Sequence, residues 1–157
     1  MKTTTQAWAT VASSTFKPRR AAVSWRSGLE QAIQEDLAKR GVPYRYEEVK
    51  VRYTRPETSH TYTPDFILRN GIVVESKGLF DADDRKKHEL LKKQHPNIDI
   101  RFVFSRSTSP IRKGSKTTYG DWCAKRGIPF ADKLIPPDWL SEPDDPARHA
   151  AIAAATT

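Results

Sequence analysis

A predicted β-hairpin places two carboxylates and an ammonium group among apolar residues. The segment, residues 62–78, has the sequence YTPDFILRNGIVVESKG and contains Asp65, Glu75 and Lys77. Opposed carboxylates repel each other unless a positive charge lies between them. Mg²⁺ supplies such a charge and is commonly held by one or two carboxylates together with a substrate phosphate. The spacing indicates metal-assisted chemistry, in which Lys77 orients or helps to deprotonate a water molecule, or offsets charge that grows on the phosphate.

The face of the hairpin on which Asp65 lies depends on the length of the turn. Because side chains alternate across a strand, Glu75 and Ser76 point to opposite faces. A two-residue turn would place Asp65 opposite Ser76. A three-residue turn over residues 69–71, with Gly71 in the left-handed conformation, would place Asp65 directly across from Glu75. We predict the three-residue turn, because it brings the two carboxylates together.

The same residues also have a purely structural interpretation. Glu75 and Lys77 would form an exposed cross-strand ion pair, and Asp65 would mark the strand entry after Pro64. An E-x-K triplet taken alone favours this interpretation. The neighbouring residues read FIL and IVV, however, and ionised side chains beside such apolar strands cost free energy unless they have a function. We therefore favour the metal site.

Glu30 is a third carboxylate that helix geometry can bring to this site. Leu29, Ile33 and Leu37 recur at four-residue spacing and predict a helix. Glu30 lies one residue from this stripe, about 100° around the helix, so it can border the core and reach the metal face. It also completes a capping box with Ser27, and the sequence leaves both roles open.

The elements that must position these residues form one predicted domain with loose ends. The predicted order is α-β-β-β-α-β followed by a further helix. Strands are expected at 44–53, 62–69, 72–77 and 98–104, and helices at 28–40, 85–95 and 119–126. Residues 1–22 are predicted to be a flexible arm and 23–140 the folded domain. Residues 141–157 are predicted to be a flexible tail, because Ile152 is their one large apolar side chain.

The charge of the chain points to a polyanionic partner. The formal net charge is +8, and residues 141–157 hold three acids and one base, so residues 1–140 carry +10. Each phosphate that Lys or Arg neutralises releases counterions and strengthens binding at low salt. Charge alone does not separate nucleic acid from an anionic membrane, but no run approaches the roughly 18 apolar residues of a membrane span.

Cysteine and histidine usage restricts the kind of metal site. Cys123 is the only cysteine, and the four histidines form no Cys/His zinc spacing, so we expect any metal to be held by oxygen. We expect no organic cofactor. The first twenty residues contain no apolar h-region, which predicts a cytoplasmic protein.

Several sequence blocks between Trp25 and Trp139 resemble the bacteriophage endonuclease I family. They are WRSGLE, YTPDF, NGIVVESKG, DDRKKH, QHP followed by IDIRFVFS, and ADKLIP. The blocks keep their order and spacing over about three quarters of the chain, which makes the match more specific than a lone PD…ExK pattern. The family consists of Holliday-junction resolvases within the PD-(D/E)xK nuclease superfamily.

The resemblance implies a fold and a set of ligands. The fold is α/β, an αβββαβ restriction-endonuclease-like core with a mixed central sheet. Asp65 and Glu75 match metal ligands that are joined by the carbonyl of Ser76, and Glu30 matches the ligand of a second ion shared with Asp65. Lys77 matches the catalytic lysine. The implied cofactor is Mg²⁺, two ions per active site, and Mn²⁺ is expected to substitute.

The resemblance also implies an assembly and a substrate. The family forms an intertwined, element-swapped homodimer with an extended bridge, which residues 54–61 would provide here. A two-fold dimer suits a four-way junction, because resolution needs paired cuts in opposed strands. We predict a structure-selective DNA endonuclease that resolves four-way and branched DNA junctions by metal-dependent phosphodiester hydrolysis, in the cytoplasm of the phage-infected bacterial host. The expected ends are 5′-phosphate and 3′-hydroxyl.

Two alternative functions are compatible with the same residues. One is a sequence-specific restriction-type endonuclease on the same core. The other is a non-catalytic junction-binding module. The chain has a longer N-terminal arm and a more acidic tail than the family pattern, so DNA contacts by the two ends are left open.

Basic side chains on the second helix and in the loop after the fourth strand are predicted to hold DNA phosphates. Together with His60, next to the bridge, the predicted DNA-binding residues are Arg85, Lys86, Lys87, Lys92, Lys93, Arg112, Lys113 and Lys116. Each of them has a solvated surface position as its alternative. His88 and His95 are expected on the helical surface.

Overall fold

The computed structural model describes residues 28–55 and 58–156. In chain order the elements are α1 (Gly28–Lys39), β1 (Tyr44–Tyr46), β2 (Val51–Arg55), β3 (Thr58–Tyr62), β4 (Phe66–Leu68), β5 (Val73–Lys77), α2 (Ala82–Gln94), β6 (Ile100–Phe104), α3 (Tyr119–Lys125), β7 (Phe130–Asp132), α4 (Pro137–Ser141) and α5 (Pro146–Ala155). The predicted arm, 1–22, and Ser27, the predicted capping partner of Glu30, lie outside the described residues. Among the described helices, none has the length and apolar character needed to cross a membrane.

A mixed five-stranded sheet forms the centre of the fold, in the order β1-β4-β5-β6-β7. β1, β4 and β5 pair antiparallel, whereas β5, β6 and β7 pair parallel. The prediction of an α/β chain with a mixed central sheet is confirmed. β5, which carries Glu75 and Lys77, is the middle strand and therefore has a neighbour on each side.

Two of the predicted strands are each divided in the structure. The predicted strand 44–53 breaks at Glu47, whose φ of +48° is incompatible with continued strand geometry. β1 joins the large sheet, and β2 belongs to a separate two-stranded sheet with β3. The predicted strand 62–69 breaks around Pro64, which has no N–H to donate to a ladder.

The described residues of the segment predicted to be an extended bridge, 54–55 and 58–61, belong to two paired strands in this structure. β2 and β3 pair antiparallel, with Tyr53 opposite His60 and Thr54 opposite Ser59. The β2 and β3 strands therefore form hydrogen bonds with each other. The hairpin ends at Tyr62, which is buried and opposite Val51.

The turn between β4 and β5 has the predicted three-residue register. Phe66 pairs with Val74, and Leu68 N–H donates to the carbonyl of Ile72 at 2.8 Å. Gly71 has φ +86° and donates its N–H to the carbonyl of Leu68 at 2.9 Å. Continuing this register by one residue places Asp65 across from Glu75, as predicted.

Helices cover both faces of the sheet, and this accounts for the absence of polar alternation in β4 and β5. On one face, Ile33 and Leu37 of α1 pack with Phe66 and Val74. On the other face, the buried cluster includes Val73 of β5, Leu91 of α2 and Ile152 of α5. Strands that are buried on both faces read as continuous apolar runs. Glu75, in the middle of β5, is consequently buried as well, whereas Lys77 at the end of the strand is partly exposed.

The prediction that 141–157 is a flexible tail is wrong for most of that segment. Residues 146–155 form α5, capped by Asp145 and packed on β2 through Ile152 and Ala155. A charged network fixes the helix: Arg101 and Arg148 both bond to Asp99 and to Glu142. Small alanine side chains let the helix approach closely, so the tail folds with few large apolar residues.

His88 is also placed differently from the prediction. It is 2% exposed, not on the helical surface, and its ring lies edge-on to Tyr62 at 5.3 Å and to Phe102 at 4.7 Å. The Nε2 atom has no hydrogen-bond partner among the described residues. Burial lowers the pKa of His88 well below 6.5, and the nearby charges of Lys87 and Lys77 lower it further. The histidine is therefore a neutral core residue.

Candidate active site

The predicted site residues converge on one cleft of about 350 Å³. Residues of α1, β3, β5 and α2, and of the segment that precedes β4, bound the cleft. Its lining includes Glu30, Asp65, Glu75, Ser76 and Lys77. The structure brings together all the residues predicted as metal ligands and the predicted catalytic lysine.

Asp65, the residue just before β4, lines the cleft. The side chain is buried, and its Oδ2 atom accepts hydrogen bonds from the N–H and the hydroxyl of Ser76, both at 2.9 Å. The N–H and C=O groups of one strand residue point to the same side of the strand. The carbonyl of Ser76 therefore points toward the β4 side, where Asp65 lies and where β4 itself begins only at Phe66.

Glu75 lies in the middle of β5 and is 4% exposed. Its Oε2 atom accepts a hydrogen bond of 2.6 Å from the hydroxyl of Tyr62. Its Oε1 atom is 3.6 Å from the Nζ atom of Lys77, the next residue on the same face of the strand. The two oxygens of Glu75 thus have different neighbours, a phenol on one side and an ammonium group on the other.

Glu30 reaches the cleft from the first turn of α1. It is 4% exposed, and its Oε2 atom accepts a hydrogen bond of 2.6 Å from the hydroxyl of Tyr46 in β1. Of the two roles that the sequence left open, the structure places Glu30 at the cleft. The capping interaction involves Ser27 and lies outside the described residues.

Glu47 is a carboxylate of this site that sequence reasoning missed. One carboxylate oxygen from each of Glu30, Glu47 and Asp65 lies within 4.8 Å of the other two. The main chain at Glu47 is tied to the site as well, because its N–H donates to the carbonyl of Asp65 at 3.1 Å. No local pattern marks this contact, because the left-handed conformation at Glu47 falls within an uninterrupted strand pattern.

Lys77 is held by two carboxylates. Its Nζ atom donates to Asp84 Oδ1 at 3.0 Å and lies 3.6 Å from Glu75 Oε1. Burial lowers the pKa of Lys77, but Glu75, Asp84 and Asp65 together outweigh burial, so the pKa is raised overall. Lys77 is therefore a cation in the isolated protein.

Asp65 and Glu75 have raised proton affinities. Burial, followed by the charge of Glu75, raises the pKa of Asp65 to about 8, although hydrogen bonds from Ser76 act in the opposite direction. Burial also raises the pKa of Glu75, against the opposing effects of Lys77 and the Tyr62 hydroxyl. These raised pKa values indicate that the ionised forms of the two carboxylates have too little positive charge near them to offset the cost of burial.

The donor set fits a hard divalent cation. The converging atoms are carboxylate oxygens and a main-chain carbonyl, and Mg²⁺ and Mn²⁺ prefer oxygen ligands. A cation among Asp65, Glu75 and Glu30 would supply the missing positive charge. The residues present are therefore suited to hold the metal that the sequence predicted.

The basic residues of α2 lie on two sides of the helix. Lys87 lines the cleft, with Nζ 3.6 Å from Asp84 Oδ1 and 5.6 Å from the centroid of the Tyr62 ring. Lys92 and Lys93 line a separate groove beside α3, and Lys86 is exposed. Lys87 is thus the residue of this group that could meet the reacting phosphate.

The other predicted DNA-binding residues lie away from the cleft. Arg85 donates to the carbonyls of Phe80 at 2.6 Å and Ile111 at 3.0 Å, so it joins α2 to the loop after β6. That loop carries the exposed side chains of Arg112, Lys113 and Lys116. His60 is stacked on Tyr53, with ring centroids 5.5 Å apart. Contact of these residues with DNA remains a prediction.

Comparison with known proteins gives consistent matches. The family model described as Phage endonuclease I matches residues 11–156. The protein "Endonuclease I" of Escherichia phage T7 is 56% identical over 120 residues, which cover 76% of this chain and 80% of the relative. "Endodeoxyribonuclease 1" of Enterobacteria phage T3 is 54% identical over 120 residues, covering 76% and 79% of the two chains.

Proposed function

The chain belongs to the phage endonuclease I family, and from this premise we propose that it resolves four-way and other branched DNA junctions by metal-dependent phosphodiester hydrolysis. Family membership makes the chain an endonuclease. The T3 relative is named as an endodeoxyribonuclease, and the excess positive charge of residues 1–140 suits a nucleic acid. We place its action in the cytoplasm of the infected bacterial cell.

The observation that carries the proposal is the convergence of Glu30, Asp65, Glu75 and Lys77 on one cleft. The carboxylates come from α1, from β5 and from the segment before β4, and they are buried beside the partly exposed ammonium group of Lys77. Such an arrangement costs stability and has a clear use in phosphoryl chemistry. We assign catalytic roles to these four residues.

Each residue has a distinct role in this proposal. Asp65, Glu75 and the carbonyl of Ser76 would hold one Mg²⁺, and Glu30 with Asp65 would hold a second. Mn²⁺ would substitute for Mg²⁺. When bound, the ions supply Lewis-acid activation of the attacking water and stabilisation of the leaving 3′ oxygen. Lys77, fixed by Asp84, would place a positive charge beside the reacting phosphate or donate a hydrogen bond that orients the attacking water.

Selection of branched DNA would follow from the geometry of a dimer that holds the DNA phosphates, and not from hydrogen bonds to base edges. A two-fold dimer presents two clefts, which could cut opposed strands of one junction. We propose that the homodimer forms by exchange of elements through 54–61, the segment that belongs to the β2–β3 hairpin in this structure. Basic residues of α2 and of the loop after β6 would hold the phosphates of the arms.

The proposal is tested with a fixed four-way junction whose arms cannot migrate. The wild-type protein should cut the junction in Mg²⁺ irrespective of arm sequence, and it should leave linear duplex of the same sequence uncut. Replacing Glu75 by Ala should abolish cleavage, while binding to the junction persists in Ca²⁺ or EDTA. Glu35→Ala, a change at an exposed position of α1, is the matched control and should cut normally.

The alternative functions give different results in the same assay. A sequence-specific restriction-type nuclease would cut linear duplex at a recognition sequence. A non-catalytic junction-binding module would bind the junction but would not cut it in Mg²⁺, with or without Glu75. Either result would overturn the proposal.

A further inference from the structure

One oxygen of each cleft carboxylate is held by a hydrogen-bond donor of the protein. The hydroxyl of Tyr62 donates to Glu75 Oε2, and the hydroxyl of Tyr46 donates to Glu30 Oε2, both at 2.6 Å. Asp65 Oδ2 accepts from the main chain and side chain of Ser76 at 2.9 Å. The pattern is repeated in three carboxylates on three different segments, so it is common to the residues proposed as metal ligands.

For Glu75 this pattern fixes which oxygen can meet an ion. Oε2 is directed to Tyr62, and Oε1 is directed to the side of the cleft where Lys77 lies, at 3.6 Å. A carboxylate that binds a cation through both oxygens must present both of them to the same point. For Glu75 this would require Oε2 to share its lone pairs between the ion and the Tyr62 hydroxyl, so the hydrogen bond disfavours binding through both oxygens.

The position of the Tyr62 hydroxyl is itself rigid. Tyr62 is 3% exposed and is paired with Val51 at the end of β3. Its ring lies edge-on to His88 at 5.3 Å, and Lys87 Nζ lies 5.6 Å from the ring centroid. With the ring held by main-chain pairing and by packing, the phenol cannot follow Glu75 to another position.

We propose that Tyr62 is a positioning residue that restricts Glu75 to a single metal-facing oxygen, and that it thereby makes the site select Mg²⁺ and Mn²⁺ over Ca²⁺. The inference rests on the proposed metal-dependent function and adds a determinant of metal choice. Mg²⁺ requires near-ideal octahedral geometry with short bonds and suits single oxygens. Ca²⁺ takes six to eight oxygens and commonly binds carboxylates through both.

The test is the metal preference of the Tyr62→Phe variant, which keeps the ring and removes the hydroxyl. Binding of Mn²⁺ and of Ca²⁺ to the protein without DNA is measured by isothermal titration calorimetry, and the ratio of the two dissociation constants is compared with wild type. We expect the preference for Mn²⁺ over Ca²⁺ to fall about tenfold, the size of effect typical for partners of metal ligands. Tyr119→Phe, at a buried tyrosine of the aromatic cluster around Phe104, is the matched control and should keep the wild-type ratio.

The possible outcomes separate this inference from the proposed function. An unchanged ratio in Tyr62→Phe, with tight Mn²⁺ binding in both proteins, would overturn the role of Tyr62 and leave the nuclease assignment intact. If wild type binds neither ion, both the metal-dependent function and this inference are wrong.

A second measurement covers the case in which Tyr62→Phe does not fold. In crystals of the wild-type protein soaked with Mn²⁺, Glu75 should contact the ion through Oε1 alone, and Oε2 should keep its hydrogen bond to Tyr62. A Glu75 that binds Mn²⁺ through both oxygens, or a broken bond to Tyr62, would contradict the proposal whatever the variant does.

Discussion

The ammonium group of Lys77 donates a hydrogen bond of 3.0 Å to Asp84, a residue of the first turn of α2. The same lysine lies 3.6 Å from Glu75, its neighbour on the face of β5. Asp84 thus links α2 to β5 and holds the lysine amine at the edge of the cleft.

The first prediction concerns this contact. Asp84→Asn removes the charge that holds Lys77, so the amine should become mobile and the rate of junction cleavage should fall about tenfold, with little change in junction binding. Single-turnover cleavage at saturating protein measures the rate. Asp83→Asn, a change at the exposed neighbouring acid in the same helical turn, is the control. Equal loss in the two variants would argue for an effect on the helix and against one on Lys77.

The second prediction concerns Glu47, whose carboxylate belongs to the group formed with Glu30 and Asp65. Glu47→Gln keeps the size of the side chain but removes a negative charge, so affinity for Mn²⁺ should fall about tenfold. Calorimetry without DNA measures this affinity. Glu48→Gln, at the exposed adjacent position, should bind Mn²⁺ as wild type does. Unchanged affinity in Glu47→Gln would remove this residue from the site.

The third prediction concerns the turn that sets the hairpin register. Gly71 has φ +86°, and an added Cβ would lie 2.6 Å from Cβ of Arg148 in α5. Gly71→Ala should therefore lower the free energy of unfolding by about 2–4 kcal/mol, the sum of backbone strain and overpacking. Urea unfolding measures the loss.

Gly127→Ala supplies the matched comparison. Gly127 has φ +65° but open space around the missing Cβ, so its substitution adds strain without a clash. The expected loss is about 1–2 kcal/mol. Similar losses in the two variants would mean that α5 shifts to accommodate the methyl group added at position 71.

The fourth prediction concerns the pH dependence of stability at His88. The pKa of His88 is lowered well below 6.5 in the folded protein, chiefly by burial. Below pH 6.5 the unfolded chain therefore binds a proton that the folded chain does not. The free energy of unfolding should fall as the pH drops from 6.5 toward the folded-state pKa, by at most about 1.4 kcal/mol per pH unit.

His88→Leu removes this contribution. Urea unfolding of wild type and variant, over about pH 7.5 to about pH 5, should show a smaller acid-induced loss in the variant. The raised pKa values of Asp65 and Glu75 act in the opposite sense, stabilising the folded state as pH falls, but they are present in both proteins. Identical pH profiles would show that the pKa of His88 is not lowered in the folded state.

The register of the β4–β5 hairpin was predictable because only one of the two possible turns makes a site. The Asn-Gly pair allows a two-residue or a three-residue turn, and the three-residue turn, with Gly71 at positive φ, is the one that brings the carboxylates of Asp65 and Glu75 together. Asp65, Glu75 and Lys77 could therefore be placed on one face from the sequence alone. Glu30 followed from helix periodicity, which left its side chain near the core boundary.

The remaining parts of the site depend on contacts between distant segments. Tyr62 and Tyr46 reach carboxylates 13 and 16 residues away in the chain, and no local pattern marks a tyrosine as the donor to a particular acid. The inward position of Glu47 depends on one left-handed residue within an apparent strand. The tail was mispredicted for a related reason, since α5 is stabilised by ion pairs with Asp99 and by packing on β2.

The central place of β5 in the sheet has a consequence for the durability of the site. Strands with hydrogen-bonded neighbours on both sides usually exchange their amide hydrogens only through the largest opening reactions of a protein. The main-chain amides of Glu75 and Ser76 should accordingly exchange as slowly as the fold unfolds, while amides near the ends of the described chain exchange sooner. Adjustment to differently shaped DNA must then come from the surroundings of β5, because the strand that carries the reactive groups stays fixed.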